Sequence, residues 1–111
     1  MSPKPGSMGG NFQHVLRQAQ KMQQEVAKIQ EQHAESEFEG VAGGGMVKAT
    51  VNGNSEVLRI EVDHEQVDAN DMDLLLDLVA AAVNDGLRRA REELEEQTQK
   101  VTGGMRIPGL T

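Results

Sequence analysis

Cysteine is absent from this chain, which removes disulfide scaffolding, thiol catalysis and zinc sites of the cysteine type together. Tryptophan and tyrosine are also missing, and phenylalanine occurs only twice, so no aromatic platform exists on which unpaired bases could stack. Any core must therefore be built from Leu, Val, Ile, Ala and Met, and across 111 residues it will be thin enough for a partner subunit to matter. No apolar run approaches the length that crosses a bilayer, so no membrane partner is expected. The opening MSPKPGSMGGN carries one lysine and no apolar stretch. It does not read as a secretory signal, and a cytoplasmic location is the expectation.

Positive charge is scarce too. Eleven Lys and Arg stand against eighteen Asp and Glu, a net charge of -7, which is unfavourable for meeting a polyanion. The imbalance is local: residues 1–60 hold six basic and six acidic side chains, and residues 61–111 hold five and twelve. The second half supplies the whole excess.

What is present is periodicity. Residues 1–10 are rich in Gly, Pro and Ser and read as a flexible arm, with a helix cap at Asn11. Beyond it Val15, Ala19, Met22, Val26, Ile29 and His33 recur at spacings of 4, 3, 4, 3 and 4, a heptad seam longer than a small core needs. At about 100° per residue Arg17, Lys21 and Lys28 fall together on the side opposite that seam. The glycine run GVAGGG then breaks the helix. MVKATV alternates, with Val47, Ala49 and Val51 on one face; Asn52 and Gly53 signal a hairpin; and EVLRIEV places Leu58, Ile60 and Val62 on one face. A third strand is expected at Glu37 to Val41. After an acidic stretch, Asn70 or Asp71 caps a second long helix whose apolar face comprises Met72, Leu75, Leu76, Val79, Ala82, Val83, Leu87, Ala90 and Leu94. Gly86 sits in the middle of that face, where it either admits a close neighbour or marks a bend. Gly103, Gly104 and Pro108 end the order.

The division expected is an arm at 1–10, one dimerising domain at 11–102 and a Gly/Pro-containing tail at 103–111. The fold class is α+β: long helix, small antiparallel sheet, long helix. Helices that overhang so small a sheet, and an open sheet edge, argue for a homodimer. Val47, Ala49, Val51, Leu58, Ile60, Val62, Val79, Val83 and Gly86 are the candidates for core and dimer contacts.

Chemistry is sparse. GVAGGG lacks the Lys-Ser/Thr of a phosphate loop and the spacing of a dinucleotide site, so it reads as a turn. His14, His33 and His64 show no ligand spacing, and His33, a seam residue, reads as packed or interfacial. Asp63 and His64 have no nucleophile beside them, and the carboxylates of DHEQVDANDMD miss the twelve-residue calcium pattern; capping and solvation account for them. No catalytic, metal or cofactor residues are assigned. The basic residues form two groups. Arg17, Lys21 and Lys28 make a stripe tempered by Glu25 and Glu31, and Arg88, Arg89 and Arg91 precede Glu92, Glu93 and Glu95, each by four residues, a spacing that permits mutual neutralisation. Composition and spacing reach a dimerising helical adaptor but not DNA.

The succession of LRQAQKMQQEVAKIQEQ, GGGMVKATVNG, LRIEVD, LLLDLVAAAVNDGLRRAREELEE and TGGMRIPG resembles the YbaB/EbfC family of nucleoid-associated proteins from about Phe12 to Pro108. The resemblance implies an α-β-β-β-α protomer that pairs through its sheet region into a tweezer-like dimer, without catalytic activity. It further implies binding of double-stranded DNA in the nucleoid, with a role in nucleoid organisation or gene regulation. On that footing Arg17, Lys21, Lys28, Arg88, Arg89 and Arg91 are the candidate phosphate contacts. The arm and the residues Met105 to Ile107 could fold over DNA or over a second dimer. The competing reading, favoured by the acidic surface, is an adaptor for a recombination or repair protein.

Overall fold

A computed structural model describes the backbone of residues 5–103 and the side chains of residues 11–103; positions 1–4 of the expected arm and 104–111 of the expected tail lie outside the described residues. The order is helix α1 (Pro5–Glu35), strand β1 (Glu37–Ala42), a short 3-10 turn (Gly43–Gly45), strands β2 (Val47–Asn52) and β3 (Val57–Val62), and helix α2 (Met72–Thr102). This is the expected α-β-β-β-α protomer, drawn out to 83 Å in its longest dimension. One boundary differs. α1 starts at Pro5, six residues before the cap expected at Asn11, and a proline with its fixed φ and missing N–H suits a first helical turn.

The sheet is antiparallel in the order β1-β2-β3. β2 is central and its alternation is fully expressed: Val47, Ala49 and Val51 are completely buried, while Lys48 is exposed. Pairing of Gly40 with Ala49 and of Ala49 with Ile60 puts Phe38, Gly40 and Ala42 of β1, and Ile60 and Val62 of β3, on the same face as that buried row. α2 lies across this face. Ala82 and Gly86 meet Gly40, Asp85 reaches Val41 and Leu78 faces Gly43, so α2 runs antiparallel to β1. Leu75, Leu78, Val79 and Val83, with Val62, pack around Val47, Ala49 and Ala82.

A helix about 10 Å wide covers two strands spaced about 4.8 Å apart, not three. β3 is the strand left over. Leu58 and Ile60, candidates for core or dimer, are 44% and 39% exposed, so within the single chain they are not core. Met72 and Leu76, placed by periodicity on the apolar face of α2, are likewise exposed, as is Leu74.

Asp71 caps α2 by accepting from the Leu74 N–H, and Gly103 closes it in the left-handed conformation with φ 61°. Asn52 and Gly53 do open the hairpin, but not as a two-residue turn. The Asn52 side-chain oxygen accepts from the N–H groups of Asn54 and Glu56, and Ser55, not Gly53, takes the positive φ. Gly53 is needed for space: a Cβ there would overlap the carbonyl of His33 at the end of α1. The acidic stretch spends its oxygens on turns, Asp63 accepting from Glu65 N–H and Asp68 from Asn70 N–H.

Candidate nucleic-acid interface

Beyond the sheet, α1 and α2 pack on each other. α1 leads into β1 and α2 runs against β1, so the two helices are antiparallel. The seam is real over its second half: Met22, Ile29 and His33 are half-buried and Val26 is 1% exposed. His33 also packs its ring at 5.1 Å from that of Phe38, which fits the packed reading of this histidine. Burying one face of α1 fixes what the other face shows. Arg17, Lys21 and Lys28 are all exposed, and among the described residues none of them forms an ion pair. The stripe spans about 16 Å of helix at 1.5 Å per residue. Between Asn11 and Gln24 there is no carboxylate at all.

The arginines of α2 are differently placed. Arg88 donates to both Asp85 and Glu92, and Arg89 donates to Asp85 at 3.0 Å. Of the three pairings that four-residue spacing suggested, Arg88 with Glu92 forms; Arg89 turns back to Asp85 instead of forward to Glu93, and Arg91 pairs with nothing among the described residues. Asp85 is the residue that sequence reasoning passed over, although its position three and four residues before Arg88 and Arg89 is the usual geometry for helix ion pairs.

Asp85 is also the junction of helix and sheet. Its carboxylate accepts the Val41 N–H of β1 at 3.0 Å with only 16% of its side chain exposed. That hydrogen bond, then the Arg88 guanidinium and the nearby Arg89, hold its pKa at about 2, against the opposing effect of burial; Arg88 is raised in turn by Asp85 and Glu92. The same contact occupies one N–H of the edge strand β1. The remaining acidic residues of α2, Glu92, Glu93, Glu95 and Glu96, follow directly, with Lys100 paired to Glu96 at 3.6 Å. Among the described residues no group of His, Asp or Glu is arranged to hold a metal ion, and no helix is long and apolar enough to cross a membrane.

The two clusters are therefore not equivalent. α1 presents cations that form no ion pair among the described residues, Arg17 and Lys21 on a carboxylate-free stretch and Lys28 between Glu25 and Glu31, and α2 presents two guanidinium groups already committed to internal partners plus Arg91, which pairs with nothing among the described residues.

Known proteins share this sequence and fold. A nucleoid-associated protein of Thermoanaerobacter pseudethanolicus is 47% identical over 108 residues, covering 96% of this chain and 97% of that protein. One from Caldanaerobacter subterraneus is 47% identical with the same coverage, and one from Clostridium acetobutylicum is 42% identical over 106 residues, covering 96% and 95%. The crystal structure of an uncharacterized protein from Helicobacter pylori superposes with a TM-score of 0.60 at 20% identity, covering 92% of this chain and all of that one, which is a likeness of fold. The sequence pattern of the YbaB/EbfC DNA-binding family is matched over residues 8–105, and with nearly the whole length accounted for, the chain belongs to that family.

Proposed function

We propose that this protein is a nucleoid-associated protein that binds double-stranded DNA as a homodimer, mainly through backbone phosphates, and serves nucleoid organisation or gene regulation in the bacterial cytoplasm. The family is non-catalytic, and the chain is not an enzyme. The observation that carries the contact mode is that Arg17, Lys21 and Lys28 form no ion pair among the described residues, the first two on a stretch of α1 without carboxylates, whereas Arg59, Arg88, Arg89 and Lys100 are paired. Cations without internal partners are the ones free to displace counterions from a duplex. Arg91 is the candidate of the second cluster that remains available, and Arg88 and Arg89 contribute only if they leave Asp85.

Dimerisation follows from the uncovered strand. Ile60 of β3 lies on the core face of the sheet beyond the reach of α2, with Val57 and Leu58 exposed beside it where the pairing with β2 shifts register, and a second copy seated there would bury them while the helices project as two arms. Two copies of the α1 stripe then present six cations, which converts a weak patch into a backbone clamp. Phosphate contacts fix position without reading sequence, so modest sequence preference is expected.

The test is fluorescence anisotropy of a labelled duplex titrated with protein between roughly 50 and 200 mM salt. The slope of log affinity against log salt is expected near -5 for six phosphate contacts, at about -0.9 per contact. Replacing Arg17 and Lys21 by Ala should remove four of the six and flatten the slope by about 3.6. Unchanged affinity in that variant refutes the α1 stripe. Absence of binding at the lowest salt moves the weight to the second reading, in which the acidic end of α2 serves an adaptor for a recombination or repair protein.

A further inference from the structure

The β2–β3 hairpin carries the single Asn-Gly dipeptide of the chain, Asn52–Gly53, and the structure shows why both residues are there. A Cβ on residue 53 would overlap the carbonyl of His33 at the end of α1, so that position must be glycine. Residue 52 has to accept and donate with one side chain: its Oδ1 accepts from the N–H groups of Asn54 and Glu56, and its Nδ2 donates to Glu56 Oε1 at 2.9 Å. An ionised aspartate has no such donor. Space at one position and hydrogen bonding at the other together impose the dipeptide in which an asparagine side chain is most easily attacked by the backbone, because glycine has no side chain to shield its own nitrogen.

That attack is a ring closure. The Gly53 nitrogen loses its proton and bonds to the Asn52 carboxamide carbon, the bond from that carbon to Nδ2 breaks, and ammonia leaves with the proton. Water then opens the five-membered imide at either carbonyl, giving aspartate or, where the chain now runs through the side-chain carbon, isoaspartate. The closure requires a carboxamide free to turn and a Gly53 N–H free to ionise. The folded hairpin denies both. The Gly53 N–H is held by the carbonyl of Ser36 at 3.1 Å, in the link between α1 and β1. The Asn52 carboxamide is held at its oxygen and its nitrogen, and the main chain of the same residue is fixed too, its N–H donating to Glu56 O and its carbonyl accepting from Ser55 N–H, each at 3.0 Å.

We propose that Asn52 is a conditional deamidation site, inert while the end of α1 is seated on the hairpin and converted irreversibly when α1 comes away. The lock is tied to α1 because Ser36 follows that helix directly and the ring of His33 packs on Phe38 beside it. Opening at a helix end requires less free energy than global unfolding, so the site samples detachment of α1 instead of loss of the whole fold. Conversion then opposes reseating. Aspartate at 52 sets a second carboxylate against Glu56 and loses the Nδ2 donor, and isoaspartate inserts an extra backbone carbon before Gly53, which shifts it off Ser36 and His33. The inference does not depend on DNA binding.

Peptide mapping that resolves isoaspartate, applied to the full chain aged at mildly alkaline pH, tests it against a synthetic peptide of residues 48–58 as the unlocked reference. Two hydrogen bonds, Gly53 N–H to Ser36 and Asn52 Nδ2 to Glu56, each contribute a factor of about five, so Asn52 should convert roughly 25-fold more slowly in the folded chain than in the peptide. Val26→Ala removes packing at the buried centre of the α1–α2 seam and should raise the rate several-fold toward that of the peptide. Glu56→Ala, at an exposed position, frees the carboxamide without touching the seam and should raise it about fivefold; it keeps the test decisive should Val26→Ala fail to fold. Conversion of the folded chain at the peptide's rate, an unreactive peptide, or a Glu56→Ala rate equal to wild type overturns the proposal. A folded Val26→Ala chain that converts no faster than wild type overturns the coupling to α1.

Discussion

Replacing Gly40 by alanine is the most demanding test of the helix–sheet junction. A Cβ built on Gly40 would lie less than 3.0 Å from Ala82 O, Gly86 N and Gly86 Cα, all of them backbone atoms of α2. Flexible side chains could swing away from such an intrusion, but a helix backbone cannot. Restoring ordinary contact requires β1 and α2 to part by roughly an ångström, which opens the packing of Ala82 against Val47 and Ala49 and stretches the Val41 N–H bond to Asp85. Overpacking of this kind costs about 1–3 kcal/mol, and with only backbone to displace the upper end applies. At about 4 °C or more per kcal/mol for a domain near this size, the melting temperature should drop by about 12 °C. Gly86→Ala supplies the control. Its Cβ would stand 3.2 Å from Val51 Cγ2 and 3.3 Å from Gly40 N, contacts that need a few tenths of an ångström, while alanine recovers about 1 kcal/mol of helix propensity; the two effects should leave stability within about 1 kcal/mol of wild type. The assay is thermal unfolding followed by circular dichroism at one fixed protein concentration, because assembly makes the midpoint concentration-dependent. A Gly40→Ala midpoint within a few degrees of wild type would refute the backbone-to-backbone crossing.

Gly53→Ala should cost about 1–3 kcal/mol for the same reason, since its Cβ would overlap the His33 carbonyl; denaturant midpoints report it. Asp85 titrates at about 2 instead of 3.8, so its stabilising contribution is complete above the ordinary carboxylate value and is lost as pH falls from there through 2. Urea midpoints of wild type and Asp85→Asn should accordingly differ at neutral pH and converge at the acid end, and a constant difference would deny the ionised contact. The same variant removes the carboxylate partner of Arg89 and leaves Arg88 with Glu92 alone, and is expected to tighten duplex binding in the anisotropy titration, whereas Arg88→Ala alone should change it little, because that guanidinium is already held by Asp85 and Glu92.

Much of this molecule was legible in the linear chain because it depends on period and local capping alone. The heptad seam from Val15 to His33, the alternation of Val47, Ala49 and Val51, the Asp71 cap and the closing Gly103 are each set by nearest-neighbour geometry. The opposition of Arg17, Lys21 and Lys28 to the seam needed nothing beyond 3.6 residues per turn. What a sequence does not encode locally is which apolar face finds a partner. Leu58 and Ile60 have the same pattern as Val47 and Ala49 and yet stay exposed, because one helix is too narrow for three strands. Val15 continues the seam of Val26, but α2 ends before reaching it. Gly86 drew attention as a gap in an apolar face, whereas the steric demand falls mainly on Gly40, across the contact. The commitment of Arg88 and Arg89 to Asp85 was likewise decided in three dimensions, where the carboxylate is drawn toward Val41 and takes both guanidinium groups with it. Period and capping determined the elements and the faces they offer; the lengths at which those elements meet decided which faces are buried, which cations are free and where another molecule can bind.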